Sequence, residues 1–144
     1  GYPDNSTENS RNPAIQLLIN NDRFLLKVRY SADAINTRAN STEKYWDLGP
    51  VDKNKWIDWV FHIKFSYGSD GVLEVWKNKQ KVVNYFGPNC YNDRVFPALK
   101  IGVYKWDWET AEGRAASLVD RRVLYYDALR IGNRDASFEE VSPR

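Results

Sequence analysis

The 144-residue chain has little of what most metal and disulfide sites need, because it contains one cysteine, one histidine and no methionine. Cys90 alone excludes an intrachain disulfide and a cysteine metal cluster, and His62 alone excludes a site built from several histidines. No apolar run approaches the ~20 residues of a membrane-spanning helix. The net charge is +2 and the basic residues are interspersed. The sequence therefore predicts neither a membrane nor a nucleic-acid partner.

What the chain has in excess is aromatic side chains, which make up 15% of the residues and include 6 Trp and 9 Tyr. Such residues favour strands and equally suit a β core or a sugar-binding surface, because they join an apolar ring to a polar group. The length predicts one domain over residues 1–144 with a substantial core.

The apolar pattern alternates with a period of two and is broken by turn residues, with no convincing helical period. A polar terminus covers residues 1–12, and residues 107–120 are predicted as a loop or a short helix. About eight strands are predicted, at 14–20, 23–30, 46–49, 55–65, 72–77, 81–86, 96–106 and 121–131. This pattern predicts an all-β sandwich of two antiparallel sheets.

The stretch 96–106 has the most unusual alternation in the chain. Leu99, Ile101 and Val103 form a predicted core face, and Lys100 and Tyr104 stand on the other face with a glycine between them. The glycine leaves the space between the two polar side chains open, so the stretch is interpreted as the floor of a binding cleft. A solvent-facing strand with a bulge at the glycine is the alternative.

Common catalytic motifs such as a P-loop, a G-x-S-x-G turn or an H-E-x-x-H helix do not occur. Asp58 and Glu74 lie on polar strand faces, where they are either the carboxylate pair of a glycoside hydrolase or ordinary solvent-facing charges. His62 points away from the apolar residues beside it. It is a candidate for binding an acidic sugar or moving a proton, and otherwise simply a polar surface residue.

Four stretches carry a resemblance to a known family. They are Trp56 to Ser66, Gly71 to Trp76, Asn84 to Asp93 and Lys100 to Lys105. In this order they resemble the jelly-roll polysaccharide lyases, most of all the glucuronan lyases, with the heparin lyase I type as relatives. The resemblance covers about residues 1–132.

The resemblance implies a concanavalin-like jelly roll whose concave sheet holds an anionic polysaccharide, and cleavage of a uronic-acid polymer by β-elimination. Lys100 and Tyr104 match the family's Lys-x-x-x-Tyr motif. Tyr104 is accordingly expected to serve as base, acid or both, and Lys100 to pair with the sugar carboxylate.

Further polymer contacts are expected from side chains that alternation places opposite the core. The candidates are Arg29 and Lys27 for carboxylates, His62 for an acidic sugar, and Trp76 and Trp106 for sugar rings. No cofactor is predicted. A structural calcium ion is not evident; Asp93, Asp107 and Asp127 are the aspartates that could supply oxygen ligands to one. Two glycosylation sequons, at Asn5 and Asn40, accompany the prediction of a secreted protein.

One departure from the family pattern concerns the start of the sequence. Family members carry a Gln-x-His segment just before a stretch like Gly1-Tyr2-Pro3-Asp4. We therefore expect the chain to be the C-terminal portion of a longer lyase domain, lacking N-terminal strands and partnered by the remaining part of that domain. The alternatives are a shortened relative without turnover and a non-catalytic carbohydrate-binding module.

Overall fold

A computed structural model describes residues 8–95, 97–104 and 119–143. Within this part of the chain, six strands form two three-stranded antiparallel sheets. The first sheet has the order β1-β2-β3 and the second β4-β5-β6. The strands are β1 (Ile15–Asn20), β2 (Arg23–Tyr30), β3 (Thr42–Pro50), β4 (Trp59–Lys64), β5 (Val72–Lys77) and β6 (Gln80–Phe86).

Two tight hairpins set the register of the sheets. The β1–β2 turn places Asn21 and Asp22 at φ of 48° and 56°, and the β5–β6 turn places Asn78 and Lys79 at 49° and 66°. Two consecutive positive φ angles are typical of type I′ turns, whose twist matches that of the flanking strands. Because a register slip of one residue would reverse both faces, these turns fix which side chains enter the core.

The core lies between the two sheets and is formed by the alternating apolar residues of each. Its buried members are Phe24, Leu26, Val28 and Leu48 from the first sheet and Leu73, Val75 and Val83 from the second. Lys77 joins the sheets at one end, where its Nζ donates to the carbonyls of Leu48 and Pro50 at 3.1 and 3.2 Å. This arrangement confirms the predicted β-sandwich.

A buried asparagine closes the other end of the second sheet. Asn89 is fully buried, and its Nδ2 donates to the carbonyls of Lys64 and Val72 at 2.9 and 3.0 Å. Its Oδ1 accepts from the Ser66 backbone N–H at 2.9 Å. The side chain therefore satisfies backbone groups that β4 and β5 leave unpaired where their ladder ends.

The predicted strand at 96–106 is wrong over its described part, because residues 97–104 belong to no strand. The predicted core face is also wrong: Leu99 is 66% exposed, and Ile101 and Val103 are exposed as well. An alternating pattern produces a strand only where a neighbouring backbone completes the ladder. Here the contact with a later segment is made by a side chain, since the Tyr126 hydroxyl donates to the Gly102 carbonyl at 3.0 Å.

Other boundaries also differ from the predictions. Residues 121–131 form no strand, and β4 begins at Trp59 instead of residue 55. β3 is longer than predicted. A short helix, α1 (Phe138–Val141), occupies the tail, where Ser137 and Glu140 form a reciprocal capping box. None of the helices in the described ranges is long and apolar enough to span a membrane.

Candidate functional site

The outward side of the first sheet carries a cluster of polar side chains. Pairing across the strands aligns Gln16 with Lys27 and Lys27 with Tyr45, and it aligns Arg29 with Glu43. All five stand opposite the core residues of β2, as the alternation predicts for Lys27 and Arg29. We call these five residues the β2–β3 face.

Glu43 is the centre of the β2–β3 face. Its Oε1 accepts from Arg29 Nε at 2.6 Å, and its Oε2 accepts from Lys27 Nζ at 2.7 Å and from the Tyr45 hydroxyl at 2.5 Å. The Lys27 ammonium also lies 4.8 Å from the centre of the Tyr45 ring. Arg29 Nη1 donates to the Pro13 carbonyl at 2.9 Å and to the Gln16 side chain. The tyrosine ring is therefore held by an anion at its hydroxyl and by a cation over its face.

The carboxylate at the centre of this cluster, Glu43, stays ionised over the ordinary pH range. Burial by itself raises the pKa of Glu43, but hydrogen bonds from Lys27, Tyr45 and Arg29 outweigh it and lower that pKa to about 2. With two cations and one anion, the face carries a net charge of one positive. Its cationic side chains are only 13% exposed, whereas Tyr45 is 53% exposed. The surface presented to a ligand is mainly the tyrosine, supported by the cations.

Glu43 and Tyr45 were missed by sequence reasoning. Each follows the period of two on β3, but the register that brings them beside Lys27 and Arg29 depends on the connection between β2 and β3, residues 31–41, which the sequence pattern does not determine. The one available signal in the sequence was the run of polar residues 41–45 directly before Trp46.

The two residues expected to perform chemistry lie within residues 97–104, the described part of the predicted 96–106 stretch. Lys100 is exposed and Tyr104 is 86% exposed. Gly102 between them has a φ of 153°, and a Cβ added there would meet no atom within 4 Å. The described segment is therefore exposed and open at Gly102, but it is not the strand floor that the alternation predicts.

His62 and Trp76 lie on the opposite outer side of the sandwich from the β2–β3 face. His62 Nδ1 is 2.7 Å from Glu74 Oε2, and Lys81 Nζ donates to Glu74 Oε1 at 2.5 Å. Trp76 packs against Phe138 of α1 with ring centroids 5.1 Å apart. The structure therefore brings Lys27 and Arg29 together and separates both from His62 and Trp76. Trp106 lies outside the described residues.

The carboxylate pair considered for glycoside hydrolysis does not have the expected electrostatics. The hydrogen bond from Lys81, followed by that from His62, lowers the pKa of Glu74. A general acid for glycoside hydrolysis needs a raised pKa, so Glu74 is unsuited to that role. The backbone N–H of Asp58 is bound to the Asn78 side chain at 2.9 Å.

The aspartates considered for calcium have other partners. Asp93 accepts from Arg11 Nε at 2.8 Å, and the Asp127 carboxylate accepts from the Ala128 N–H at 2.7 Å. Asp107 lies outside the described residues. Over residues 8–95, 97–104 and 119–143, no group of three or more His, Cys, Asp or Glu side chains is placed to hold a metal ion.

The single cysteine is a buried packing residue, as predicted. Cys90 is buried beside Ala14 and Tyr91, and burial raises the pKa of its thiol to about 11, with a smaller contribution from Asp93. A thiol of this kind stays protonated and is a poor nucleophile.

Comparison with protein families identifies the class of protein to which this sandwich and its polar face belong. The family described as "Polysaccharide lyase" matches residues 2–130, which is most of the chain. The chain therefore belongs to the polysaccharide lyase family, which supports a lyase-type function. Comparisons with curated proteins and with solved structures found no match.

Proposed function

We propose that the protein cleaves an anionic uronic-acid polymer of the glucuronan kind by β-elimination, with Tyr104 as base and acid and Lys100 at the sugar carboxylate. The observation that carries the proposal is the exposure of both side chains on one segment within the family-matched region, separated by a glycine with open space above it. An extended polymer can approach such a segment without meeting a side chain at the central position.

The reaction requires three events at one uronate. The Lys100 ammonium pairs with the carboxylate on C5, which makes the C5 proton more acidic. The deprotonated Tyr104 oxygen then takes that proton, and the electron pair forms the C4–C5 double bond as the C4–O glycosidic bond breaks. The leaving oxygen receives a proton from the Tyr104 hydroxyl, so that one phenol serves both steps.

The β2–β3 face supports the choice of an acidic polymer. Its net positive charge and its exposed Tyr45 ring match a chain of sugar rings bearing carboxylates. Lys27 and Arg29 attract the polymer while Glu43 keeps them in position. A polymeric substrate also agrees with the proposal that the protein is secreted.

The proposal is tested by incubating the purified protein with glucuronan, alginate and heparin and following the ultraviolet absorbance of unsaturated uronate. We expect the absorbance to rise with glucuronan. Binding without absorbance on any of the three polymers would contradict the proposal.

The second candidate is a carbohydrate-binding module without turnover. It is favoured by the hydrogen bonds that hold the β2–β3 face together, because none of those described comes from Tyr104. This candidate predicts affinity for the polymer that is equal in the wild-type protein and in a Tyr104→Phe variant, with no unsaturated product from either.

A further inference from the structure

We propose that the loop between β3 and β4 forms a second contact site for an acidic polysaccharide, built from Trp56, two lysines of the same loop and one lysine of the adjoining β5–β6 turn. The site comprises Lys53, Lys55, Trp56 and Lys79, and we call it the end-loop patch. It rests on the proposed function only for the class of polymer and does not require turnover.

Trp56 is unusual among the tryptophans that the structure describes. The other three pack against aromatic rings with centroids 5.1 to 5.3 Å apart: Trp46 on Tyr85, Trp59 on Phe24 and Trp76 on Phe138. Trp56 is 68% exposed. A large indole left in water is an informative exception to burial, and an aromatic face of this size is a suitable platform for a sugar ring.

The backbone that carries Trp56 is firmly held. The Asp58 N–H donates to Asn78 Oδ1 and the Asn78 N–H donates to the Asp58 carbonyl, both at 2.9 Å. Ile57 packs against the core, and the Val51 N–H donates to the Asp22 carbonyl at 2.8 Å. Because the loop is already ordered, binding through Trp56 costs little additional conformational entropy.

Three lysines belong to the same loop as Trp56 or to the turn bonded to it. Lys53 and Lys55 lie within three residues of Trp56 in the chain, and Lys79 is exposed in the β5–β6 turn, which the Asp58–Asn78 hydrogen bonds tie to this loop. Lys53 pairs with Asp22 at 3.0 Å, and Lys55 reaches Asp52 only at 4.0 Å. Exposed pairs of this kind contribute little, so the lysines are available to the carboxylates of a ligand.

The end-loop patch is separate from the β2–β3 face. It lies at the end of the sandwich where Arg23 pairs with Pro50 and Trp59 with Lys77. The ion pair between Arg29 and Glu43 lies toward the other end of β2. A long polymer can therefore be held at a second point, which raises its effective concentration at the first.

The test measures binding of glucuronan by isothermal titration calorimetry with all variants made in a Tyr104→Phe background, so that turnover does not interfere. Trp56→Ala is expected to raise the Kd roughly three- to tenfold, the range for loss of one aromatic stacking partner. Trp56→Tyr keeps a ring and should retain most of the affinity. Lys53→Gln with Lys55→Gln should weaken binding at low salt and reduce its salt dependence.

The matched control is Tyr67→Ala with Lys64→Gln, which removes an exposed ring and a lysine from the opposite end of the second sheet. It should bind like the parent. The inference is overturned if Trp56→Ala, shown to be folded by circular dichroism, binds like that control. It is also overturned if an uncharged β-glucan binds the parent as tightly as glucuronan does. Because only binding is measured, these outcomes stand whether or not the wild-type protein has lyase activity.

Discussion

Replacing Glu43 by glutamine tests whether the β2–β3 face is a coupled cluster. The variant keeps the shape of the side chain but removes the charge that accepts from Lys27, Arg29 and Tyr45. The difference between the ordinary pKa of 4.5 and the folded value of about 2 corresponds to at most about 3 kcal/mol. Because the Glu43 side chain is 39% exposed, solvent screening reduces the expected loss of stability at pH 7 to about 1–2 kcal/mol.

The pH dependence gives this prediction its sign. The folded pKa of Glu43 lies below its unfolded value, so its contribution is fully present above about pH 5 and is lost as the pH falls toward about 2. In urea titrations, the free energy of unfolding should therefore be lower for Glu43→Gln than for the wild type at pH 7, and this difference should disappear at low pH. Glu139→Gln, at an exposed position, is the control. Equal free energies of unfolding at pH 7, or a difference that is unchanged at about pH 2, would refute the reasoning.

Three further predictions concern the core and its edges. Asn89→Ala should lower the free energy of unfolding by about 2–4 kcal/mol in urea titrations, because it leaves several buried backbone groups unpaired; a loss below about 0.5 kcal/mol would contradict this. Gly71→Ala should destabilise by about 1–3 kcal/mol, since its Cβ would lie 2.3 Å from a backbone carbonyl oxygen, while Gly68→Ala has ordinary contacts and should be near neutral. Equal thermal midpoints for the two glycine variants would count against that packing. Cys90 should react with a thiol reagent at pH 8 only after unfolding, because it is buried and its pKa is raised to about 11; rapid labelling of the native protein would be the contrary result.

The sequence predicts the β1–β2 and β5–β6 hairpins well, because the two paired strands and the turn between them are adjacent in the chain. The alternating residues of 23–30 match β2 at both ends, and the turn residues before it and between β5 and β6 adopt the positive φ angles that such turns need. The two-sheet sandwich follows from these units. Local patterns succeed where both the strand and its partner are close in sequence.

The predictions fail where the partner of a segment is distant. Residues 97–104 and 121–131 alternate like strands, yet the structure leaves their apolar side chains exposed. For the site, alternation predicts the facing of Lys27 and Arg29, but the placement of Glu43 and Tyr45 beside them depends on cross-strand register. The separation of His62 and Trp76 from the β2–β3 face likewise depends on which sheet each strand joins, which a period of two does not specify.

The central claim is that Tyr104 exchanges the protons of a β-elimination. The most direct measurement is the rate of unsaturated uronate formation from glucuronan by the wild-type protein, by Tyr104→Phe and by Tyr125→Phe. The Tyr125→Phe variant removes another exposed phenol, next in sequence to Tyr126, which contacts Gly102. We predict that Tyr104→Phe loses about 10²-fold or more of the rate and that Tyr125→Phe retains it. A Tyr104→Phe variant that forms the product at the wild-type rate would contradict the account.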